Sequence, residues 1–421
     1  MPSFEASAAG KPGEDVNLEM LARREGTPLH VYSSAAIRQR IAALQAAFAG
    51  VDVGICYAVK ANGNRAVLQL VNDAGAGADI VSEGELRRCL AAGMPASRIV
   101  FSGVGKQEHE IDAALQAGIA RFNVESFDEL LMIERVAARR GTVARASVRI
   151  NPDVDAHTHE KISTGKAENK FGVAIDEARH WFDTADARSH VRLDGLHVHI
   201  GSQLLDLAPF REALARVAMF WRELQDAGHA IACIDVGGGL GVRYRDEDRP
   251  PSAADYAGVV REALAEFDGR ILLEPGRWLV AEAGVLLARV IRVKPGEQRR
   301  FVVLDAAMND LARPALYDAW HDIAPVSNAN RACVVCDVVG PVCETGDTFA
   351  RDRAMPECAA GDLVMIRATG AYGASMSSTY NSRPLAAEVL VDGDRYAVIR
   401  RRQTFDEMMA GEQPAMHWET P

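Results

Sequence analysis

Four segments of the 421-residue chain end an apolar run with groups that could do chemistry. The run Val53-Gly-Ile-Cys-Tyr-Ala-Val-Lys60 closes on an amine whose pKa should fall beside apolar neighbours, as an imine-forming lysine requires. A lysine at a strand end also simply snorkels into water. His197 and His199, in His-Val-His-Ile-Gly201-Ser202-Gln203, stand two apart and so share one face of a strand. The pair suits a metal, or a flat platform under an aromatic ligand; either ring alone is as easily a hydrogen-bonded core histidine.

Asp235-Val-Gly237-Gly238-Gly239-Leu-Gly241 exposes successive backbone N–H groups that can cradle a phosphate, or merely turns tightly. In Glu274-Pro275-Gly276-Arg277 the carboxylate can keep a heteroaromatic nitrogen protonated and the guanidinium can grip a carboxylate, unless the two form a surface ion pair. Further along, Cys343-Glu344 offers a thiol suited to general acid work and an acid suited to an ammonium. Arg313-Pro-Ala-Leu-Tyr317 and Gly370-Ala-Tyr372 add guanidinium and phenol groups for an anion. Cys333-x-x-Cys336 has no second pair to complete a zinc site and reads as structural.

The elements around these segments have a clear rhythm. Eight β-prone runs, from Gly54–Val59 to Ile271–Glu274, alternate with helical segments such as Phe127–Arg140 and Pro209–Ala227. Eight such units over this length predict an α/β fold, a (β/α)₈ TIM-type barrel, in which strand C-terminal ends carry the working residues. An open doubly wound sheet is the rival, but Lys60-Ala-Asn follows the first strand where a Gly-x-Gly-x-x-Gly is expected. After Gly284 the pattern becomes β-prone runs and Gly-containing turns, which predicts a C-terminal all-β domain of sandwich or barrel-like form. The expected division is 1–33, reaching across to the β domain, then 34–280 for the barrel and 281–421 for the β domain.

The net charge of −11 disfavours nucleic acid as a partner. No apolar run reaches the ~18 residues that span a bilayer. Seven cysteines, an odd number, and an N-terminus without a basic and apolar leader predict a reducing, cytoplasmic setting.

In this order the motifs resemble the fold III pyridoxal-phosphate decarboxylases, and among them the diaminopimelate decarboxylase family, over about Pro28 to Thr404. The resemblance is carried by Tyr57-Ala-Val-Lys60-Ala-Asn62, Val81-Ser-Glu-Gly-Glu-Leu86, Asn151-Pro-Asp-Val-Asp155 with Asn169-Lys-Phe-Gly172, and the histidine, glycine, Glu-Pro-Gly-Arg, Arg313, Cys343 and Tyr380-Asn-Ser-Arg-Pro384 segments.

It implies that Lys60 binds pyridoxal 5′-phosphate covalently, that His199 stacks on the ring, and that Glu274, next to Pro275, faces the ring nitrogen. Ser202, Gly238, Gly239, Gly276, Arg277 and Tyr372 would surround the phosphate. Arg277, Arg313, Tyr317 and Tyr372 would bind the far carboxylate of meso-2,6-diaminopimelate, Glu344 its ammonium, and Cys343 would return a proton as L-lysine forms. Lys60, His199 and Cys343 are thus the expected catalytic residues, with no metal, in a homodimer whose partner chains lend Cys343 and Glu344 to each other. The rival readings are an ornithine, arginine or carboxynorspermidine decarboxylase, a metal-dependent barrel hydrolase built on His197-x-His199, and a non-catalytic homologue.

Overall fold

In the computed structural model, which describes residues 15–155, 170–185, 188–297, 299–327, 330–415 and 418, a first strand β1 (Leu29–Ser33) precedes a closed parallel barrel. The barrel strands are β2 (Val53–Ala58), β3 (Gly77–Ile80), β4 (Ile99–Phe101), β5 (Arg121–Val124), β6 (Ala144–Arg149), β7 (Val191–His197), β8 (Cys233–Asp235) and β9 (Arg270–Leu273). β9 closes on β2 through Val53↔Ile271 to Ile55↔Leu273, which removes the open-sheet alternative.

The connecting helices carry their boundaries in local sequence. In Phe127–Arg140, Ser126 accepts from the Glu129 N–H, Asp128 and Glu129 occupy the first turn, and Arg139 and Arg140 the last before left-handed Gly141. Ile133, Val136, Phe182 and Phe220 pack such helices onto the barrel wall.

The remaining strands are β10 (Gly284–Pro295), β11 (Arg300–Leu304), β12 (Ile323–Pro325), β13 (Cys333–Val339), β14 (Thr348–Pro356), β15 (Leu363–Ile366), β16 (Ala387–Asp392) and β17 (Arg395–Arg400). They form one mixed sheet in the order β14-β13-β11-β10-β1-β16-β17, with β15 joining β10 to β12. β1 lies in this sheet, antiparallel to β10 and parallel to β16. Both faces of β10 are buried with period two: Leu286, Ala288 and Val290 enter one core, Val285 and Leu287 another.

Four elements escape a reading by pattern. Leu18–Glu25 is a helix capped by the side chain of Asn17, yet it buries only Leu21 and Ala22. Ile175–Asp183 is a helix whose short apolar face is Ala178, Trp181 and Phe182. β12 is three residues long, and β14 carries three charged residues in Thr348-Phe-Ala-Arg-Asp-Arg-Ala-Met-Pro356. One of them, Arg353, is buried because its guanidinium donates to the His321 carbonyl at 2.9 Å.

Candidate active site

The C-terminal ends of the barrel strands open on a cavity of about 190 Å³. Its wall includes Lys60, His199, Ser202, Gly237, Gly238, Gly239, Glu274, Pro275, Gly276, Arg277, Arg313, Tyr317 and Tyr372, and also Asp79, which the sequence motifs left out. A larger depression of about 730 Å³ at the opposite mouth, near Arg98, Arg121 and Arg270, holds none of these groups.

Lys60 follows β2 in a single 3₁₀ turn, Val59–Ala61. Its side chain reaches into the open cavity and is therefore accessible to water, although protein surrounds it at depth. Its pKa corrects the expectation from sequence. Burial is the largest influence and pulls it down, but Asp79, Tyr372 and Glu274 together raise it above the ordinary lysine value. That balance favours the ammonium form of the amine. Asp79 is buried, and its Oδ1 lacks a hydrogen-bond partner. Burial, then the like charge of Glu274, push its carboxyl well up, while Lys60 opposes them.

The two histidines part company. His197 is buried, with Nε2 3.1 Å from Glu274 Oε2. His199 lies beyond the end of β7, and its Nδ1 accepts from the Gly238 N–H at 3.1 Å. Burial first, then the charges of Lys60 and Arg149, hold His199 well below the usual histidine range, so the cavity sees a neutral ring. Glu274 accepts from Asn123 Nδ2 at 3.0 Å and from Ser102 Oγ at 3.3 Å. Burial alone would raise its carboxyl, but the bond to His197 and the nearness of Lys60 keep it well below the carboxylate range. Asp235 accepts from Gly237 N–H at 2.9 Å, and burial followed by repulsion from Glu274 pushes it well up.

Donor atoms of His197, Asp235 and Glu274 lie within 4.8 Å of one another, a spacing that could hold a metal. The amide Nδ2 of Asn123 donates toward both acids, at 3.0 Å and 3.5 Å, so the cluster is a hydrogen-bond network that fixes Glu274.

The glycine loop is tight for a physical reason. A Cβ on Gly238 would meet the Glu274 carbonyl at 2.2 Å, and one on Gly239 (φ +114) would meet the Gly201 carbonyl at 2.6 Å. Tyr372, at φ +57 without being glycine, is held there by its N–H bond to Ala61 O, and its ring lies 4.9 Å from Arg277 Cζ. Arg277 donates through Nε and Nη2 to Ser202 Oγ at 3.2 Å and 3.1 Å. Arg277 and Arg313 are each 6 % exposed, and neither has an ion-pair partner among the described residues. Two buried guanidiniums on one cavity, without acids, call for an anionic ligand.

Cys343 and Glu344 stand outside the cavity wall. Both are exposed on a loop that is nonetheless shaped: Asp347 accepts from the Val342 N–H, Asn381 Oδ1 from the Cys343 N–H, and Glu344 Oε2 from Tyr380 Oη at 2.8 Å. All seven cysteines are free.

Residues 34–281 match the family of pyridoxal-dependent decarboxylases, at their pyridoxal-binding domain. That is more than half of the chain. The chain belongs to this family. It is 50% identical to the diaminopimelate decarboxylase of Pseudomonas aeruginosa over 412 residues, covering 98% of this chain and 99% of that one. With the diaminopimelate decarboxylase of Zymomonas mobilis it shares 48% identity over 404 residues, 95% and 96% of the two chains. The crystal structure of diaminopimelate decarboxylase from Helicobacter pylori complexed with L-lysine superposes with a TM-score of 0.91 at 45% identity, over 94% of this chain and 98% of that one. Lys60, Glu274 and the Gly237–Gly239 loop place an amine, an acid and a run of backbone N–H groups around one cavity. Family membership displaces the metal-dependent hydrolase reading. Among the described residues no helix is long and apolar enough to cross a membrane.

Proposed function

We propose that the protein decarboxylates meso-2,6-diaminopimelate to L-lysine and carbon dioxide, as a pyridoxal-phosphate-dependent carboxy-lyase. The observation that carries this reading is the pair of buried, acid-free guanidiniums, Arg277 and Arg313, on the cavity that also holds Lys60 and Glu274. Bound pyridoxal phosphate supplies the electron sink for the pair left when carbon dioxide departs. Lys60 would hold it through its amine, and His199 would offer it the flat, neutral ring that lines the same cavity. The backbone of Gly238, Gly239 and Gly276, with Ser202 and Arg277, takes its phosphate. Glu274, next to Pro275, holds a proton at its ring nitrogen.

Arg277, Arg313, Tyr317 and Tyr372 bind the substrate's far carboxylate by the paired N–H geometry that suits such a group. Ornithine and arginine lack that carboxylate, so they leave Arg313 without an anionic partner in a buried site. Turnover per unit of substrate should therefore be at least about a hundredfold lower on ornithine or arginine than on meso-diaminopimelate. Measuring carbon dioxide release on each, with lysine identified as product, decides the matter; a preference for either diamine precursor overturns the assignment.

Cys343 and Glu344 act from the partner in a homodimer, Cys343 returning a proton to the carbon that loses its carboxylate and Glu344 receiving the substrate's ammonium. Support comes from their exposure and preshaped loop, outside the cavity wall of their own chain. Cys343→Ala should keep the cofactor's absorbance and lose about 10²–10³-fold in turnover. Mixing it with Lys60→Ala should restore about a quarter of wild-type activity, because half the random dimers are mixed and each has one intact site of two. A mixture that stays inactive places Cys343 in its own chain's site. The free cysteines fit a reducing, cytoplasmic setting.

A further inference from the structure

We infer that Tyr244 and His321 are positioning residues that fix Arg277 and Arg313 for a terminal carboxylate, and so set the preference for a substrate acidic at its far end. The inference rests on the role of the two arginines proposed above. Neither Tyr244 nor His321 belongs to a motif that the sequence singled out, and the cavity wall includes neither.

A single chain of hydrogen bonds and ring contacts joins them. His321 Nδ1 lies 2.8 Å from the Arg367 carbonyl, an oxygen that can only accept, so Nδ1 carries the proton. In the neutral ring Nε2 is then an acceptor, and Arg313 Nη1 donates to it at 2.7 Å. Burial, then the charge of Arg313, lowers the His321 pKa to about 3, so this donor–acceptor order holds throughout the working pH range.

Arg313 Cζ sits 4.6 Å from the centroid of the Tyr244 ring, which meets His321 edge-on at 5.3 Å. The same tyrosine's hydroxyl accepts from Arg277 Nη1 at 2.7 Å, and Arg277 Cζ lies 5.8 Å from its ring. One tyrosine thus separates two like charges that would otherwise repel, and its π system attracts both.

Both positioning groups are anchored from behind. The loop bearing Tyr244 is pinned where Gln203 donates to Val242 O at 2.6 Å and accepts from Val242 N–H at 3.1 Å. The His321 carbonyl accepts from Arg353, and neighbouring Trp320 lies between Arg353 at 3.5 Å and Arg245 at 4.6 Å. A guanidinium that keeps one N–H on a fixed acceptor has its remaining edge aimed, and the edges of Arg277 and Arg313 face one cavity.

A purely structural contact would affect folding and turnover alike, whereas positioning acts on substrate affinity. His321→Leu removes the acceptor and His321→Gln restores one near Nε2; Tyr244→Phe removes the hydroxyl but keeps the ring. With holoenzyme, His321→Leu should raise KM for meso-diaminopimelate about tenfold and Tyr244→Phe about threefold, with kcat and cofactor absorbance within about twofold of wild type. His321→Gln should recover most of the loss, and kcat/KM on ornithine should not change, so that discrimination shrinks. An unchanged KM in both Leu and Phe variants, or equal losses in kcat and absorbance without recovery by Gln, overturns the inference. Arg313→Ala in the same series separates the two levels. If it leaves KM unchanged, the carboxylate reading falls and this inference with it; if it raises KM while His321→Leu and Tyr244→Phe do not, only the inference falls.

Discussion

Lys60→Ala should lower turnover at least about 10⁴-fold and abolish the visible or near-ultraviolet absorbance of the lysine-bound cofactor, because among the described residues no second amine lines the cavity. The substitution shortens a side chain that projects into open space, so the barrel should keep its melting temperature within a few degrees. A coloured, active variant would remove Lys60 from its role.

The environment of that amine adds a pH test. Asp79, Tyr372 and Glu274 raise its pKa against the pull of burial, so the ammonium is favoured and the free amine is scarce at neutral pH. Below such a pKa the free-amine fraction grows about tenfold per pH unit. Capture of pyridoxal phosphate by apoprotein should therefore accelerate steeply between about pH 7 and 9. A flat rate over that range would mean that the acids around Lys60 do not hold its proton.

Much of the barrel was legible because each strand is a short apolar run with a turn on either side, and the helices carry caps that can be read locally. Ser126 and Gly141 around Phe127–Arg140 are an example. β14 was not legible, since Arg351, Asp352 and Arg353 interrupt its apolar pattern, and what buries Arg353 is a carbonyl distant in sequence. The site divides in the same way. Lys60, Glu274 and the glycine run end strands, where type and place together suggest chemistry. Asp79 also ends a strand, and an acid within Gly77-Ala-Asp-Ile80 is a signal that could have found it.

Tyr244 and His321 sit in loops, and only the approach of the barrel to the mixed sheet brings their rings to 5.3 Å. Lys60 shows the converse limit. Its apolar neighbours in sequence predict a lowered pKa, but the acids that reverse the sign come from β3 and the end of β9.

Glu274→Gln should cost about 10²–10³-fold in turnover while the covalently bound cofactor remains visible. The side chain has nearly the same shape, so the loss reports on charge. Glu274 stands at the centre of a network in which its two oxygens meet Asn123 Nδ2 at 3.0 Å, Ser102 Oγ at 3.3 Å and His197 Nε2 at 3.1 Å. An amide there turns one acceptor into a donor. If its nitrogen faces Asn123, two N–H groups oppose each other; if it faces His197, the imidazole must accept, and no carboxylate remains to hold a proton at the ring nitrogen.

His197→Asn should give a smaller loss, about tenfold, because it frees Glu274 to move without removing its charge. The order of the two effects is the informative result. Equal losses would mean that orientation rather than charge is what Glu274 provides. Activity above a tenth of wild type in Glu274→Gln would mean that the proton is held by another group, for which the buried Asp235 beside it, its carboxyl pushed well up by burial and by Glu274, is the neighbour to substitute next.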